Sequence, residues 1–385
     1  MIQAIKYGSI VIDCLLRKRS LSSQRQGNRP LYKEIIYEKN KNFFNITLVV
    51  LIMLLLLVLF IPSRTPQIEG NNSVASIEKA EIGGIEQYIM IRGRDISNPI
   101  LLFLHGGPGY AQISYARKYQ EELEDSFIVV NWDQRGAGMT FSFNIPKETM
   151  NREQFIEDGK ELIDYLCKKY NKEKVYLAGH SWGSELGLYI VERYPEKVAA
   201  FISIGQVVNG IDNEVVSYDY VVEMAQKENN KKALKDLEKI GRPPYKNVVR
   251  DTVTQRKWLS KYGGVERKVN TLKDIILSSF FSPEYTGIDG IKFALGSKFT
   301  ADTMWGHNND LDFIRDLPEV KVPIYFCVGR YDYNTPSILV EKYYNHIIAP
   351  KKEIIWFEES AHFPHLEEPE KFAQLAIRIK ENNEE

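Results

Sequence analysis

The chain has 385 residues, enough for one large domain with an insertion or for two domains of ordinary size. Its 50 Lys and Arg residues balance 51 Asp and Glu residues, so no overall charge favours a nucleic-acid partner or an acidic substrate. The three cysteines lie far apart and suggest no disulfide framework, and no metal-ligand spacing, dinucleotide fingerprint or phosphate-binding loop occurs. We therefore expect no cofactor.

An apolar run from Phe43 to Ile61 is the first long feature of the chain, and only Asn45 and Thr47 interrupt it. Its length is close to the ~20 residues that a helix needs to cross the hydrocarbon core of a bilayer. A cleaved signal peptide would have a shorter apolar region, nearer the N-terminus, and small residues after it. The sequence therefore predicts one uncleaved transmembrane helix over residues 43–61.

Basic residues dominate the 42 residues before this run, where nine Lys and Arg stand against three acidic residues. Such an excess of Lys and Arg marks the cytoplasmic side of a membrane span. We expect a cytoplasmic tail over residues 1–42 in a single-pass protein of the cell membrane, with the later residues outside the cytoplasm. Residues 62–75 are polar and contain Pro, Gly and Asn, which predicts a linker.

Strand patterns alternate with helical patterns after the linker, beginning with two short strands around Gly83 and Gly84. This alternation predicts an α/β domain with a mostly parallel central sheet flanked by helices. It stops at Gly205 and resumes near residue 323, so we expect a core over 76–205 and 306–385 and a helical cap over 206–305. The apolar strand patterns lie at residues 100–104, 127–130, 175–178, 200–204, 323–328 and 353–357.

A short glycine-bounded motif, Gly179-His180-Ser181-Trp182-Gly183, comes directly after a predicted buried strand and directly before a predicted helix. A serine in this position sits on a tight strand-to-helix turn that exposes its hydroxyl at the edge of the sheet. The surrounding glycines leave room for the close approach of strand and helix. We therefore predict Ser181 as a nucleophile.

A serine hydroxyl needs a base, and the base needs a carboxylate that orients it. In this arrangement the three residues follow in the chain order Ser, acid, His. His362 lies in the loop after the last predicted strand and is the predicted base, with His365 as the weaker candidate. Asp332 follows the strand at 323–328, which brings it to the same sheet edge as Ser181, and is the predicted acid.

Residues 105–109 have the sequence His-Gly-Gly-Pro-Gly and follow the predicted strand at 100–104. Backbone amides in such a loop can stabilise the oxyanion of a tetrahedral intermediate, and losing one donor costs about two to three orders of magnitude in rate. We expect one donor from the Gly106 and Gly107 pair. The second is the amide of Trp182, the residue after the nucleophile.

Five short motifs of the chain occur together in one known family. They lie at residues 105–109, 133–140 (Asp-Gln-Arg-Gly-Ala-Gly-Met-Thr), 181–184 (Ser-Trp-Gly-Ser), 329–332 (Gly-Arg-Tyr-Asp) and 360–362 (Ser-Ala-His). Over about residues 77–372 the chain resembles the proline iminopeptidase branch of the α/β-hydrolase superfamily. The resemblance implies an α/β-hydrolase fold, a helical cap over the site, and release of N-terminal residues, proline especially, from short peptides.

Three positions depart from the family pattern: His180 and Thr140 stand where Gly and Ser are frequent, and Glu185 replaces a small polar residue. The resemblance also implies that acidic residues of the cap bind the free ammonium of the substrate. No cap motif aligns with this sequence, so the candidates for that role are Glu214 and Glu284 in the cap, with Glu185 behind the serine turn.

Two other functions fit parts of the sequence. An esterase, a lipase-like enzyme or a lactone hydrolase would use the same Ser, His and Asp residues on an ester. A non-catalytic binding module of the same fold would lack one of those three residues, and none is missing. We expect a small molecule or a short peptide as the substrate and the lipid bilayer as a partner, whereas the sequence carries no signal for an oligomeric state.

Overall fold

The computed structural model describes residues 29–60, 63–308 and 310–384. The chain divides into two compact units, residues 1–57 and 58–385. Most of the predicted cytoplasmic tail, residues 1–28, lies outside the described residues.

Helix α1 begins at Arg29 in the first unit and ends at Phe60, three residues past the boundary between the units. It contains the predicted span except Ile61, which lies outside the described residues. Within the described part of the chain, no helix is long and apolar enough to cross a membrane. The transmembrane helix over residues 43–61 therefore stays a prediction from the sequence.

One sheet of eight strands forms the centre of the second unit. In space the strands follow the order β1-β2-β4-β3-β5-β6-β7-β8, and all pairs from β4 to β8 along this order are parallel. The antiparallel pairs are β1 with β2 and β2 with β4. The predicted mostly parallel sheet is therefore confirmed. The strands are β1 Val74–Ile82, β2 Ile85–Gly93, β3 Ile100–Leu104, β4 Ile128–Asp133, β5 Val175–His180, β6 Val198–Ile204, β7 Ile324–Gly329 and β8 Lys352–Phe357.

The fully apolar strands lie in the middle of the sheet because both of their faces are covered. Along β3, Leu102 and Leu104 pack into one hydrophobic cluster, whereas Leu101 and Phe103 pack into another. Successive side chains of a strand point to opposite faces, so one apolar run supplies both clusters. Burying each such side chain contributes about 1.5–3 kcal/mol, and this burial fixes the strand ends that carry the site.

Helices cover the sheet and form most of the insertion between β6 and β7. Helices α5 to α9 lie within residues 206–305, the predicted cap. The helices of the second unit are α2 Ile113–Gln120, α3 Arg152–Tyr170, α4 Trp182–Arg193, α5 Gly210–Lys227, α6 Lys231–Ile240, α7 Val248–Lys261, α8 Ser278–Phe281, α9 Gly287–Met304, α10 Phe313–Asp316, α11 Ser337–His346, α12 Pro364–Glu367 and α13 Pro369–Glu384.

The folded part of this unit begins earlier than the predicted linker over residues 62–75 allows. The amide of Arg64 donates to the Pro283 carbonyl at 2.8 Å, and Thr65 is buried. Arg92 donates to the Thr65 hydroxyl and, at 2.7 Å, to the Pro66 carbonyl. Residues 64–66 are therefore fixed to the domain, which corrects the prediction of a free spacer there.

Candidate active site

Ser181 lies at the turn between the end of β5 and the start of α4, with φ 56° and ψ −118°. A positive φ is unusual for a residue with a side chain and is a form of strain that functional sites retain. A Cβ on Gly179 would lie 2.2 Å from the Gly183 carbonyl oxygen, and one on Gly183 would lie 2.0 Å from the Leu104 oxygen. Both glycines are therefore required by backbone contacts, as the motif predicts.

Asp332 and His362 form a buried hydrogen-bonded pair, with 2.9 Å between Oδ2 of the carboxylate and Nδ1 of the ring. The other carboxylate oxygen accepts the amides of Asn334 and Thr335 at 2.8 and 2.9 Å. The Thr335 hydroxyl donates to Oδ2 at 2.8 Å. These donors satisfy a carboxylate whose unpaired burial would be costly. They also hold it against the ring.

The loops that carry these two residues leave the same edge of the sheet as Ser181. Asp332 follows β7 and His362 follows β8, and the His362 amide donates to the Val265 carbonyl of the cap at 2.9 Å. At the end of β6, a Cβ on Gly205 would lie 3.0 Å from His362 Nδ1, so a small residue leaves room for the ring.

His180 packs between the predicted base and its neighbours. Its Nε2 lies 2.8 Å from the His362 carbonyl oxygen, and its ring lies 4.7 Å from the His362 ring and 4.7 Å from the His365 ring. Burial lowers the pKa of His180 well below its ordinary value and lowers that of His365 to about 3, so both rings are neutral near pH 7. Of His362 and His365, His362 is the one bonded to Asp332.

The glycine loop after β3 lies against the serine turn. A Cβ on Gly106 would lie 3.1 Å from the Ser181 Cβ. His105 accepts the Gln134 amide at Nε2 (3.2 Å), and its Nδ1 lies 2.8 Å from the Gly106 carbonyl oxygen. Burial lowers the pKa of His105 to about 4, which keeps the ring neutral with one nitrogen accepting and the other donating.

A second contact ties the same loop to the start of α4. The indole of Trp182 donates to Gln134 Oε1 at 3.0 Å, and Gln134 Nε2 donates to the His105 carbonyl at 3.1 Å. The residues predicted to supply the oxyanion amides are thus joined by one hydrogen-bonded chain.

A cavity of about 230 Å³ opens on Ser181 between the core and the cap. Gly107, Trp182 and Thr335 line it from the core side. The cap side includes Asn213, Glu214, Tyr245, Thr252, Arg256 and Trp305.

Several known proteins are similar to this chain in sequence or in fold. A sequence model of the α/β hydrolase fold matches residues 99–236. The chain is 36% identical over 314 residues to a Bacillus subtilis protein named "Probable aminopeptidase YbaC", a match that covers 81% of this chain and 98% of that protein. This chain belongs to the α/β-hydrolase family. The hydrolase is also 26% identical over 276 residues to a proline iminopeptidase of Heyndrickxia coagulans, covering 71% and 87% of the two chains.

Among solved structures, the proline iminopeptidase of Mycobacterium smegmatis shares the fold of this hydrolase. The TM-score is 0.61 at 20% identity, and the match covers 80% of this chain and 98% of the other. The predicted membership in the proline iminopeptidase-like branch is confirmed by these similarities.

Three residues that line the cap side of the hydrolase's cavity each carry a buried polar atom that has no hydrogen-bond partner among the described residues. These atoms are Oε2 of Glu214, Oδ1 of Asn213 and the hydroxyl of Tyr245. The other Glu214 oxygen pairs with Arg256 at 2.5 Å, and Asn213 Nδ2 donates to the Asn334 carbonyl at 2.8 Å. Burial, with the Glu214 charge nearby, raises the pKa of Tyr245 and keeps its hydroxyl protonated.

Of the three predicted ammonium ligands, the structure brings only Glu214 to the cavity. Glu185 is buried on α4 and pairs with Arg152 at 3.0 Å. Burial raises the pKa of Glu185 to about 7, although Arg152 opposes the shift. Glu284 is also buried and pairs with Arg117 at 2.6 Å. Neither Glu185 nor Glu284 is among the residues that line the cavity.

Sequence reasoning missed Asn213, Tyr245 and Arg256, because no local motif surrounds them. They come from α5, from the segment before α7 and from α7 itself. The only signal that could have found Asn213 is its position beside Glu214 at the start of the cap. Nothing in the sequence pairs either residue with Tyr245.

Proposed function

We propose that this hydrolase is an aminopeptidase of the proline iminopeptidase type, which removes a small N-terminal residue from short peptides through an acyl-enzyme at Ser181. The observation that carries the proposal is the cavity that Ser181 shares with Glu214, Asn213 and Tyr245, each of which has one buried polar atom without a partner among the described residues. That cavity combines a nucleophile with a place for a positive charge.

The chemistry follows the roles of the three core residues. His362 uses Nδ1 for Asp332 and Thr335, which assigns Nε2 to the Ser181 hydroxyl. As Ser181 Oγ attacks the scissile carbonyl carbon, its proton moves to Nε2, and Asp332 stabilises the imidazolium. The proton then passes to the leaving amine, and a water molecule, activated by the same nitrogen, hydrolyses the ester.

The oxyanion that forms in both steps lies against backbone amides. The Trp182 amide and one amide of the Gly106 and Gly107 pair are the donors that we assign to it. The hydrogen bonds of His105 and Gln134 described above hold this loop in place before substrate arrives, so no reorganisation is needed during the reaction.

Recognition of the substrate's N-terminus falls to the cap. A protonated amine has hydrogen-bond donors and no acceptor, and it matches the Glu214 and Asn213 oxygens and the Tyr245 hydroxyl oxygen. A charged donor on a carboxylate is the strongest of these contacts. A substrate whose amine is blocked would leave the buried Glu214 oxygen unpaired, and such a loss discriminates strongly.

A panel of arylamides tests the proposal. Proline and alanine arylamides with a free amine should be hydrolysed at least ~100-fold faster than their N-acetylated forms, because a blocked amine loses its hydrogen bond to the charged Glu214 and leaves the buried Oε2 unsatisfied, a cost of about 3 kcal/mol. Equal rates on free and blocked substrates, or activity confined to esters, would instead favour the esterase function.

We also propose that residues 43–61 anchor the hydrolase in the cell membrane, with the N-terminus in the cytoplasm and the catalytic domain outside it. The apolar run and the basic residues before it support this proposal. The full chain should resist carbonate extraction, and protease added to intact protoplasts should remove the catalytic domain. Protection of the domain until the cells are lysed would refute this topology.

A further inference from the structure

One side of the cap exposes a group of large apolar side chains, which we call the outer-cap face. Six of the thirteen large apolar side chains that are exposed among the described residues after 62 lie between residues 272 and 295. Single exposed apolar residues are normal, whereas a concentrated group marks an interaction site. The outer-cap face consists of Leu272, Leu277, Phe281, Ile288, Ile291 and Leu295.

These residues come from neighbouring segments of the cap: Leu272 and Leu277 precede α8, Phe281 ends it, and the other three lie on α9. On α9, Ile288, Ile291 and Leu295 follow the spacing of one helix face, and the opposite face, with Phe293, is buried. The short helix α8 packs directly against α9, since a Cβ on Gly290 would lie 2.5 Å from a backbone oxygen of α8. The outward side of this pair carries no apolar partner among the described residues.

The chain enters the catalytic domain beside this face. Arg64 is bonded to Pro283, which lies two residues after Phe281 and five before Ile288. The next residue, Thr65, is buried, and its hydroxyl lies 3.5 Å from the Glu284 carboxylate. The Arg92 side chain that donates to Thr65 is itself held by a buried ion pair with Glu124 at 2.6 Å.

Chain length then limits how far the face can lie from the apolar run. Only Pro62 and Ser63 separate Ile61, where that run ends, from Arg64, and the three residue steps from Ile61 to Arg64 span at most ~11 Å when fully extended. Because Arg64 to Pro66 are fixed to the domain, the chain after Ile61 cannot act as a long spacer.

We propose that the outer-cap face rests on the surface of the lipid bilayer that holds residues 43–61. This inference depends on the membrane anchor proposed above. Arg64, which is bonded beside the face, follows the apolar run by three positions, so in the anchored protein the local concentration of lipid near the face far exceeds that of any soluble partner. The exposed ammonium group of Lys273 borders the face and matches anionic headgroups, whereas Lys298, which is also exposed, pairs with Asp302 at 2.6 Å.

Fluorescence quenching in vesicles tests the contact on the full chain. Cys14 and Cys167 are replaced by Ser, whereas Cys327 is fully buried and remains. A single new cysteine at Phe281→Cys, or at the control position Ile338→Cys on α11, carries an environment-sensitive dye; both native side chains are more than half exposed. In phosphatidylcholine and phosphatidylglycerol vesicles with spin-labelled lipid, the dye at position 281 should be quenched at least threefold more than at position 338.

The other outcomes distinguish a failure of the lipid contact from a failure of the membrane anchor. If the protein floats with the vesicles but both positions are quenched equally, the outer-cap face does not touch lipid and the inference is overturned while the anchor stands. If Phe281→Cys instead forms a disulfide-linked dimer in the vesicles, a second copy covers the face and the inference is again overturned. If the chain does not float with vesicles at all, the anchor fails and the inference fails with it. Unchanged arylamide hydrolysis by both variants confirms that they are folded.

Discussion

The core and the cap supply two different kinds of residue to one cavity. In the core, Ser181, Asp332 and His362 each follow the end of a parallel strand by a few residues. In the cap, Glu214 and Tyr245 come from separate segments with no shared motif. The sheet fixes the positions of the three core residues, and under the proposed function the insertion determines which substrate they meet.

The two regions also differ in how completely their polar groups are paired. The Asp332 carboxylate accepts four hydrogen bonds, from two amides, the Thr335 hydroxyl and the His362 ring. On the cap side, one buried atom each on Asn213, Glu214 and Tyr245 has no partner within the described part of the chain. A paired group is preorganised for catalysis, and an unpaired buried group is satisfied only when a ligand arrives. Substitutions in the two regions should therefore have effects of different kinds.

The largest effect should come from the core. Ser181→Ala removes the nucleophile and should lower kcat by about four orders of magnitude or more, and Ser181→Ala with His362→Ala should be little worse, because such residues act as a unit. A fluorophosphonate probe should label the wild type and the exposed-serine control Ser142→Ala. Labelling of Ser181→Ala would disprove the assignment of the nucleophile.

His180 offers a smaller effect within the core. Loss of its hydrogen bond to the His362 carbonyl in His180→Phe should lower kcat about tenfold with little change in KM, since ~1–1.5 kcal/mol of positioning is lost. His180→Gln can place an amide near the Nε2 position and should recover part of the rate. An increase in KM with unchanged kcat would show that His180 does not act through the base.

In the cap, substitution of Tyr245 should affect substrate binding more than the chemical step. Tyr245→Phe removes one hydrogen bond from the substrate's protonated amine, worth about 1.5 kcal/mol, and should raise KM for a free-amine arylamide about tenfold. The same variant should leave a short ester unaffected, and kcat should change little. An equal loss on both substrates would place Tyr245 outside amine recognition.

The smallest effect concerns stability and the buried Glu185. Its folded pKa, about 7, lies above its unfolded value, so the native state holds an extra proton between those values and stability falls as pH rises from about 4.5 to 7. Glu185→Gln removes this titration. The Tm of the variant should therefore decline less over this range than that of the wild type, by a few degrees. The exposed Glu192→Gln on the same helix is the control, and parallel Tm curves would contradict the burial argument.

The sequence predicts the candidate site residues of the core well and those of the cap poorly. The strand patterns place β5, β7 and β8, and each site residue of the core follows from a strand end and a local motif. Glu185 was a candidate because of its position behind the serine turn, but its partner Arg152 lies 33 residues away and only the packing of α3 on α4 reveals the pair.

The start of the domain was harder to predict for a similar reason. Residues 62–75 have the composition of a linker, and nothing local indicates that Thr65 is buried. Its burial depends on Arg92 and Glu124, which the sheet brings together from β2 and the segment before β4. Asn213 and Tyr245 likewise can be recognised as cavity residues only once the cap is folded over Ser181.

The most direct test of this account compares free and N-acetylated proline arylamides in the wild type and in Glu214→Gln, as the ratio of the two kcat/KM values. Glu214→Gln keeps the size of the side chain and removes the negative charge that we propose binds the substrate's ammonium group. We expect a ratio of at least ~100 in the wild type that falls at least tenfold in the variant, mainly through KM for the free amine. A ratio near one in the wild type, or one that Glu214→Gln leaves unchanged, would contradict the division of labour between core and cap.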